Sequence, residues 1–344
     1  MKKVAIIGQY GEGPDYVTGQ AVKTHATVDW MISRFGRENV EIVNSYGWKK
    51  RPLRLFLSML RAVAHCKNVI ILPAQHGVKF FPRAVSALNR LFHRRIFFIV
   101  IGGWLADMLK EKPGLRRAVT SFDGVCAETE TLARQLREVG VEHAWRLPNF
   151  RDYVDTEDKR PATTPPVRVC TYSRVTESKG IADAAVICRK ANALLGRDVF
   201  LLEVYGKVAP EYQEAFQRLC ETEKEVMRYC GVKNAEESLA VLRDQFALLF
   251  PTYYEGECFA GTALDAFLSR TPIIANDWKY NGEVIQDGVN GFLYPYRDTD
   301  AAAEKLAALY RDPALYRAIQ EGCRNSALEY DSTRVLEKLV KEMA

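Results

Sequence analysis

The chain has 344 residues, of which 48% are hydrophobic and 26% charged, a composition typical of a globular protein. That length exceeds what one hydrophobic core usually supports, so two domains are predicted. No apolar run approaches the ~20 residues that span a bilayer, and MKKVAIIG predicts a first strand, not a signal peptide. The eight cysteines lack C-x-x-C spacing, which favours buried thiols in a reducing cytoplasm over a zinc site.

Strand-like and helical segments alternate along the whole chain. In the first part, strands are predicted in VAIIG, VEIVNSY, VIILPA, RIFFIVIG and GVCAE. A polar, proline-containing stretch at 151–166 predicts a linker, after which come VRVCTY, VFLLEVYG, ALLFPT and TPIIAND. Alternating strands and helices indicate parallel sheets with right-handed crossovers. We therefore predict two Rossmann-like α/β domains, at 1–150 and 167–326, that face each other across a ligand cleft.

The glycines after the first strand do not favour a dinucleotide enzyme. Gly8, Gly11 and Gly13 follow the order G-x-x-G-x-G, which differs from the dinucleotide fingerprint G-x-G-x-x-G. Asn44 stands where a Rossmann NAD site requires an acid at the end of the second strand.

Charge is divided unevenly between the two halves. Residues 1–150 hold 23 Lys and Arg against 12 Asp and Glu, a net of +11, and the remainder has a net of −6. The basic excess lies in two predicted helices, at 49–64 and 82–95. In the first helix, Arg54 and Arg61 oppose an apolar face comprising Leu53, Phe56, Leu57, Leu60 and Val63.

This pattern makes both helices candidates for lying against an anionic membrane. The alternative is a crossover helix that packs on the sheet and leaves a solvated basic back. Nucleic acid is not predicted as a partner, because no recognition helix or aromatic stacking platform accompanies the charge.

The first motif with chemical content is SRVTESKG, which follows the strand VRVCTY. It places Arg174 and Lys179 at the carboxyl end of a strand, with Gly180 closing the turn into a helix. Two cations beside the positive end of a helix dipole suit a diphosphate.

The second motif is PTYYEGECFAGTALDAF, from Pro251 to Phe267, where a buried strand leads through a turn into a helix. It holds Glu257 at the turn and Asp265 about two turns into the helix. The turn exposes backbone N–H groups that suit an anion, and carboxylates accept strong hydrogen bonds from sugar hydroxyls.

Together the two motifs resemble those of family-four glycosyltransferases, which are retaining enzymes with the GT-B fold. Arg174, Lys179 and Gly180 match the family's Arg-x-x-x-x-Lys-Gly, and Glu257 and Asp265 match its Glu, seven residues, Glu. The segments LLEVYGK, VMRYCGV and TPIIANDWKYNGEVIQDGVNGFLYP are also similar to the family's second domain. The resemblance extends over nearly the whole chain and is specific in the second half, and the chain resembles bacterial family members that act in surface-polysaccharide assembly. It further implies that a last helix, within 327–344, crosses back to the first domain.

The resemblance implies a site for a nucleoside-diphosphate sugar, in particular a UDP-sugar. Arg174 and Lys179 are expected to bind the diphosphate, Glu257 the sugar hydroxyls and Asp265 the ribose. Gly19 in the first domain is expected to approach the donor closely, as a residue without Cβ allows. Backbone amides are expected to stabilise the leaving group at Phe259, Ala260, Gly261 and Thr262. No metal or other cofactor is expected, because the two cations take the metal's role.

Two departures from the family pattern stand out. Asp265 replaces the second Glu, which shortens the side chain by one methylene. Gly103 and Trp104 occupy the region where many relatives carry a His after a first-domain strand. His76, in VIILPAQHG, is the candidate substitute, so His76, Gly103 and Trp104 are the predicted acceptor-side residues.

The predicted function is retaining transfer of a hexose or N-acetylhexosamine to a saccharide or polyprenyl-linked saccharide in surface polysaccharide synthesis. The enzyme is expected in the cytoplasm, with peripheral association at the inner membrane face. The alternatives are other GT-B chemistry, such as a sugar-nucleotide epimerase or a phosphorylase, and a non-catalytic nucleotide-sugar-binding partner.

Overall fold

The computed structural model describes residues 1–11, 19–156, 163–234 and 237–344. Gly13 and part of the predicted linker, 157–162, lie outside these residues. The chain forms two compact units, one comprising Met1–Asp152 and Tyr330–Ala344 and the other Tyr153–Glu329. Within the described part of the chain, none of the helices combines the length and apolarity that a bilayer crossing requires.

Unit 1 contains a six-stranded parallel sheet with the order β2-β1-β3-β4-β5-β6. Its central strands are buried on both faces, which is why their sequences are continuous apolar runs. The strands are β1 (Lys2–Gly8), β2 (Val40–Asn44), β3 (Cys66–Leu72), β4 (Arg95–Ile99), β5 (Gly124–Ala127) and β6 (Ala144–Arg146). The helices between them are α1 (Gly19–Phe35), α2 (Pro52–His65), α3 (Gln75–Val78), α4 (Phe81–Phe92), α5 (Leu105–Glu111), α6 (Pro113–Val119) and α7 (Glu130–Glu138).

Both basic helices differ from the prediction in their limits, and α2 differs also in the face that it buries. Helix α2 begins at Pro52, because residues 48–50 form a 3₁₀ turn, and α4 ends at Phe92. Arg94 therefore lies outside α4 and donates to the carbonyls of Val63 and Ala64. The predicted apolar face of α2 is divided, since Val63 is buried and Leu60 half-buried, while its remaining members are exposed. The helix instead packs inward through Leu55, Met59, Ala62 and Val63.

Unit 2 contains a second six-stranded parallel sheet with the order β12-β11-β10-β7-β8-β9. Its strands are β7 (Val167–Tyr172), β8 (Phe200–Tyr205), β9 (Met227–Tyr229), β10 (Leu248–Phe250), β11 (Ile273–Asn276) and β12 (Gly291–Tyr294). Its helices are α8 (Ile181–Leu195), α9 (Gln213–Thr222), α10 (Ser238–Arg243), α11 (Gly261–Leu268), α12 (Asn281–Val284), α13 (Thr299–Arg311) and α14 (Pro313–Glu329). The two parallel sheets with flanking helices confirm the predicted α/β fold class.

The last helix, α15 (Ser332–Met343), packs on unit 1. Asp331 caps it by accepting from the amides of Thr333 and Arg334. Its apolar face joins a core cluster that also includes residues of β1, α1, β3 and β4; the helix contributes Val335, Leu336, Leu339 and Met343. The helix thus completes the core of unit 1 although it follows unit 2 in the chain.

A buried carboxylate lies inside unit 2. Glu203 on β8 accepts hydrogen bonds from Tyr205 at 2.6 Å, from Gln245 at 2.8 Å and from Arg228. Burial raises the pKa of Glu203, but these three hydrogen bonds outweigh it and hold the pKa below its ordinary value. Glu203 is therefore an ionised part of the core, and both of its carboxylate oxygens accept hydrogen bonds.

Candidate functional site

The two sequence motifs meet where the strand order of unit 2 reverses. The chain proceeds outward from β7 to β8 and β9 on one side, and from β10 to β11 and β12 on the other. The crevice at such a switch point, at the carboxyl ends of the strands, is where open α/β sheets bind ligands. Arg174 and Lys179 follow β7, and Glu257 follows the neighbouring strand β10.

A close backbone approach brings the two turns together. Gly180 has φ +69°, and a Cβ at this position would lie 2.3 Å from the carbonyl oxygen of Pro251. The amide of Tyr253 donates to the carbonyl of Ser178 at 2.8 Å. Glycine is therefore required here both for its backbone conformation and for the lack of a side chain.

Lys179 and Glu257 form a direct ion pair between the turns. Their side chains are only 11% and 10% exposed, so the pair is shielded from bulk water. The hydroxyl of Thr252 donates to the same Glu257 oxygen at 2.9 Å. Because a largely buried charge is costly without a partner, each group holds the other in place.

An aromatic ring, which sequence reasoning missed, links the two cations. The guanidinium of Arg174 lies 5.9 Å from the ring centroid of Tyr254, and the ammonium of Lys179 lies 5.2 Å from it. Cations at this distance from an aromatic ring are attracted to its π-face. The motif PTYYEG does contain the ring three residues before Glu257, but only the fold shows that both cations approach it.

The segment after Glu257 leads into α11, the helix predicted to provide amide donors. Phe259 is buried, and Ala260 stands at the N-cap, where it supplies no side-chain oxygen to the first amides. Helix α11 begins at Gly261, and the hydroxyl of Thr262 donates to the carbonyl of Tyr172 at 2.9 Å. The start of this helix is thus attached to the end of β7.

Asp265 is closer to the helix start than predicted. Because α11 begins at Gly261, Asp265 lies about one turn into the helix, and the prediction of two turns was wrong. The hydroxyl of Ser238 donates to its carboxylate at 3.1 Å. Burial, followed by the charge of Asp265, raises the pKa of the nearby Tyr172.

The predicted acceptor-side residues and Gly19 belong to unit 1. Gly19 is the exposed first residue of α1, which follows β1, and His76 is exposed in α3, which follows β3. Gly103 is buried and Trp104 half-buried in the segment after β4. Since β1, β3 and β4 are neighbours in a parallel sheet, all four residues follow the same edge of that sheet.

A buried ion pair beneath this edge was also missed from the sequence. Lys23 of α1 and Glu128, which follows β5, are 2.6 Å apart and almost fully buried. The amide of Gly102 donates to the second oxygen of Glu128 at 3.4 Å. The sequence does not predict this pair, because its partners are 105 positions apart and each residue alone is of a type that usually lies at the surface.

Comparison with known proteins identifies the family of the chain. Residues 155–326, half of the chain, match the family model for glycosyl transferases group 1. The chain belongs to this family. A segment of 76 residues, which is 22% of this chain, is 34% identical to EpsD of Bacillus subtilis (strain 168), a protein named as a glycosyltransferase. The match spans only 20% of the length of EpsD.

Several solved structures share the fold of this chain at low sequence identity. Anabaena HepE in complex with UDP-glucose has a TM-score of 0.72 at 13% identity and covers 99% of both chains. Sucrose-phosphate synthase from Thermosynechococcus elongatus gives 0.73 at 13% identity, covering 99% of this chain and 98% of that one. The pneumococcal O-GlcNAc transferase GtfA, in complex with UDP and GlcNAc, gives 0.66 at 19% identity, covering 86% and 60%. These similarities identify the fold as GT-B.

Proposed function

We propose that this family member is a glycosyltransferase of the retaining, family-four type that uses a UDP-sugar as its donor. The observation that carries the proposal is the contact of Lys179 with Glu257 at the switch point of unit 2, with Arg174 beside them. Complexes of HepE with UDP-glucose and of GtfA with UDP and GlcNAc, which share this fold, support a nucleotide-sugar donor.

In the proposed reaction, Arg174 and Lys179 bind the diphosphate and neutralise the charge that develops as the sugar leaves. Glu257 accepts hydrogen bonds from the sugar hydroxyls, and Asp265 binds the ribose. The amides from Phe259 to Thr262 add to the stabilisation of the leaving diphosphate. Two cations approach one aromatic ring here, and among the described residues Glu257 pairs with only one of them, Lys179. The site thus keeps positive charge for a diphosphate, and we propose transfer without a metal cofactor.

We propose that the hexose or N-acetylhexosamine is transferred with retention of anomeric configuration. Glu257 is engaged by Lys179 and Thr252, so it is assigned to recognition and not to nucleophilic attack. NMR of the first-formed product checks the stereochemistry of transfer, since an inverted anomeric centre in that product contradicts retention.

The site is tested by Lys179→Ala and Arg174→Ala, each of which removes one charge stabiliser. Such a change typically lowers kcat by about 100- to 1,000-fold. The matched control is Lys305→Ala, which removes another lysine of unit 2 that pairs with an acid and lies over an aromatic ring. A panel of UDP-, GDP- and ADP-sugars, read by release of nucleoside diphosphate, gives the donor. A fall of less than threefold in either site variant contradicts the role assigned to that residue.

Glu257→Gln separates sugar from nucleotide recognition. We expect turnover to fall while the affinity for UDP, measured by calorimetry, stays within about threefold. An equal loss of UDP binding would move Glu257 from the sugar to the nucleotide.

We further propose that the acceptor is a lipid-linked saccharide of bacterial surface polysaccharide synthesis and that the enzyme works at the cytoplasmic membrane face. Residues 42–106 contain 11 Lys and Arg and no Asp or Glu. On α2, within this stretch, Leu53, Phe56 and Leu57 are 70%, 43% and 54% exposed. Exposed apolar side chains next to arginines suit an anionic lipid surface, where each basic residue contributes about 1 kcal/mol.

Vesicle flotation tests the membrane proposal. The wild-type protein is expected to float with vesicles that contain anionic lipid and to be released by high salt. The triple change of Leu53, Phe56 and Leu57 to Ser should abolish flotation. The matched control changes three exposed apolar residues of unit 2, Leu194, Val289 and Leu328, to Ser. The proposal of a lipid-binding face is contradicted if the wild-type protein does not float with the vesicles at low salt. It is also contradicted if the control variant loses as much flotation as the α2 variant.

A further inference from the structure

We infer that the segment Asn276–Lys279 is a positioning device for Glu257, acting through the backbone of the turn that carries it. The inference deepens the proposed function and depends on it, because it assigns residues that set the geometry of the sugar-binding carboxylate. It adds Asn276, Trp278 and Lys279 to the residues that determine turnover, although none of them is assigned to the substrate.

Three side chains of this segment donate to three carbonyls of the turn. Nδ2 of Asn276 lies 3.2 Å from the carbonyl oxygen of Thr252. Nε1 of Trp278 lies 3.1 Å from that of Tyr254, and Nζ of Lys279 lies 2.8 Å from that of Glu255. Each donor is 24 positions beyond its acceptor, so the bonds form one ladder.

The ladder begins where the backbone pairing of β10 and β11 ends, at the carboxyl ends of the two strands. Strands β10 and β11 pair in parallel, with Phe250 opposite Ala275. The chain segments that follow these strands run side by side, but the backbone pairing ends there. Between β10 and α11, residues 251–260 have no helix or strand of their own. Side-chain donors therefore take over where backbone donors stop, and they satisfy carbonyls that regular structure leaves without partners.

The bonds converge on Glu257 from two sides. The Tyr254 carbonyl that receives the indole N–H also accepts the amide of Glu257, at 3.0 Å. A carbonyl oxygen has two lone pairs, so both bonds form at once. On the other side, Thr252, whose carbonyl is held by Asn276, donates its hydroxyl to the Glu257 carboxylate. Both the backbone and the carboxylate of Glu257 are thus fixed through residues that the ladder holds.

The donors are themselves held in place. Asn276 is fully buried, and its Oδ1 accepts the amide of Arg297 at 3.1 Å. The Trp278 ring stacks on Tyr296 with centroids 5.1 Å apart. Lys279 has a left-handed backbone with φ 48° and forms an ion pair with the side chain of Glu255. Because the three donors are themselves held in place, they fix the position of the turn, as positioning residues require.

The test removes the indole donor and keeps the ring. In Trp278→Phe, stacking on Tyr296 can persist, but the bond to the Tyr254 carbonyl is lost. A misplacement of about 1 Å at a reacting group can cost on the order of 100-fold, so we expect kcat to fall by about 10-fold or more. UDP affinity should change by less than about twofold. The matched control is Trp30→Phe in unit 1, which removes the indole bond to the Thr333 hydroxyl from another half-buried tryptophan.

A double variant distinguishes positioning from general structural support. If Trp278 acts through Glu257, adding Trp278→Phe to Glu257→Gln should lower kcat by less than about twofold more. A full additional loss in that background, or a kcat for Trp278→Phe equal to that of Trp30→Phe, overturns the inference. Lys279→Met, with Lys305→Met as its control, tests the third rung in the same way.

Hydrogen exchange keeps the test independent of activity. If the wild type releases no nucleoside diphosphate from any donor, the proposed function fails, but the positioning role is still read from the turn itself. Amides of residues 252–258 should exchange faster in Trp278→Phe and remain unchanged in Trp30→Phe. Equal protection in both variants shows that the ladder does not order the turn.

Discussion

Gly180 gives the sharpest test of how the fold brings the cation to the carboxylate. It precedes α8 with φ +69°, and Gly196 follows the same helix with φ +66°. A Cβ at Gly196 meets nothing within 4 Å, whereas one at Gly180 lies 2.3 Å from the Pro251 carbonyl. Alanine in the left-handed conformation costs about 1–2 kcal/mol at either position. The two variants therefore share the backbone strain and differ only in the clash.

The size of the clash allows the expected fall in kcat to be estimated. Ordinary van der Waals contact begins at 3.4 Å, so the turn or the end of β10 must move by about 1 Å in Gly180→Ala. That movement separates Lys179 from Glu257. We expect kcat for donor turnover to fall about 100-fold in Gly180→Ala and by less than threefold in Gly196→Ala.

The assay is nucleoside diphosphate release under saturating donor, with urea unfolding of both variants as the stability measurement. If Gly180→Ala turns over within threefold of Gly196→Ala while both remain folded, the close approach does not set the catalytic geometry.

Three further predictions concern stability. Because the pKa of folded Glu203 is lowered, its contribution is present above the unfolded value of about 4.3 and is lost as the pH falls through the folded value. At pH 7, Glu203→Gln should lower the free energy of unfolding by about 1–3 kcal/mol. On acidification the variant should lose less stability than the wild type, as urea titrations across pH 3–7 would reveal. Gly206→Ala should destabilise unit 2 far more than Gly231→Ala, since its Cβ would lie 1.7 Å from the Ser173 carbonyl while that of Gly231 meets nothing within 4 Å; comparable urea midpoints would contradict this. Leu339→Ala, in the buried face of α15, should cost about 2–5 kcal/mol and raise hydrogen exchange in unit 1 but not in unit 2.

The fold class could be predicted because its signals are local. Buried parallel strands are continuous apolar runs such as VAIIG and VIIL, and the glycine-containing turns after them mark the carboxyl edge of each sheet. The motif residues Lys179 and Glu257 were assigned to one pocket from their positions after two strands. That assignment needed only the rule that parallel strands end at a common edge.

The exposed face of α2 could not be predicted from periodicity. The helix carries two overlapping apolar rows, one containing Leu53 and Leu57 and the other Leu55 and Met59. Helical spacing permits either row to face the sheet, and the choice depends on the packing of neighbouring elements.

Long-range pairs escaped prediction for a related reason. The bond from Trp278 to the Tyr254 carbonyl depends on the register between β10 and β11, which a single sequence does not specify. Likewise, Lys23 in α1 has the character of a surface lysine until β5 brings Glu128 against it. Both contacts arise from tertiary structure and leave no local pattern.

The return of α15 to unit 1 has a consequence for folding during synthesis. Val335, Leu336 and Leu339 complete a core whose other members are made first, but Tyr153–Glu329 must be translated in between. At about 5–20 residues per second, these 177 residues delay the closing helix by roughly 9–35 s. During that interval the apolar residues that α15 covers remain exposed on the nascent first unit.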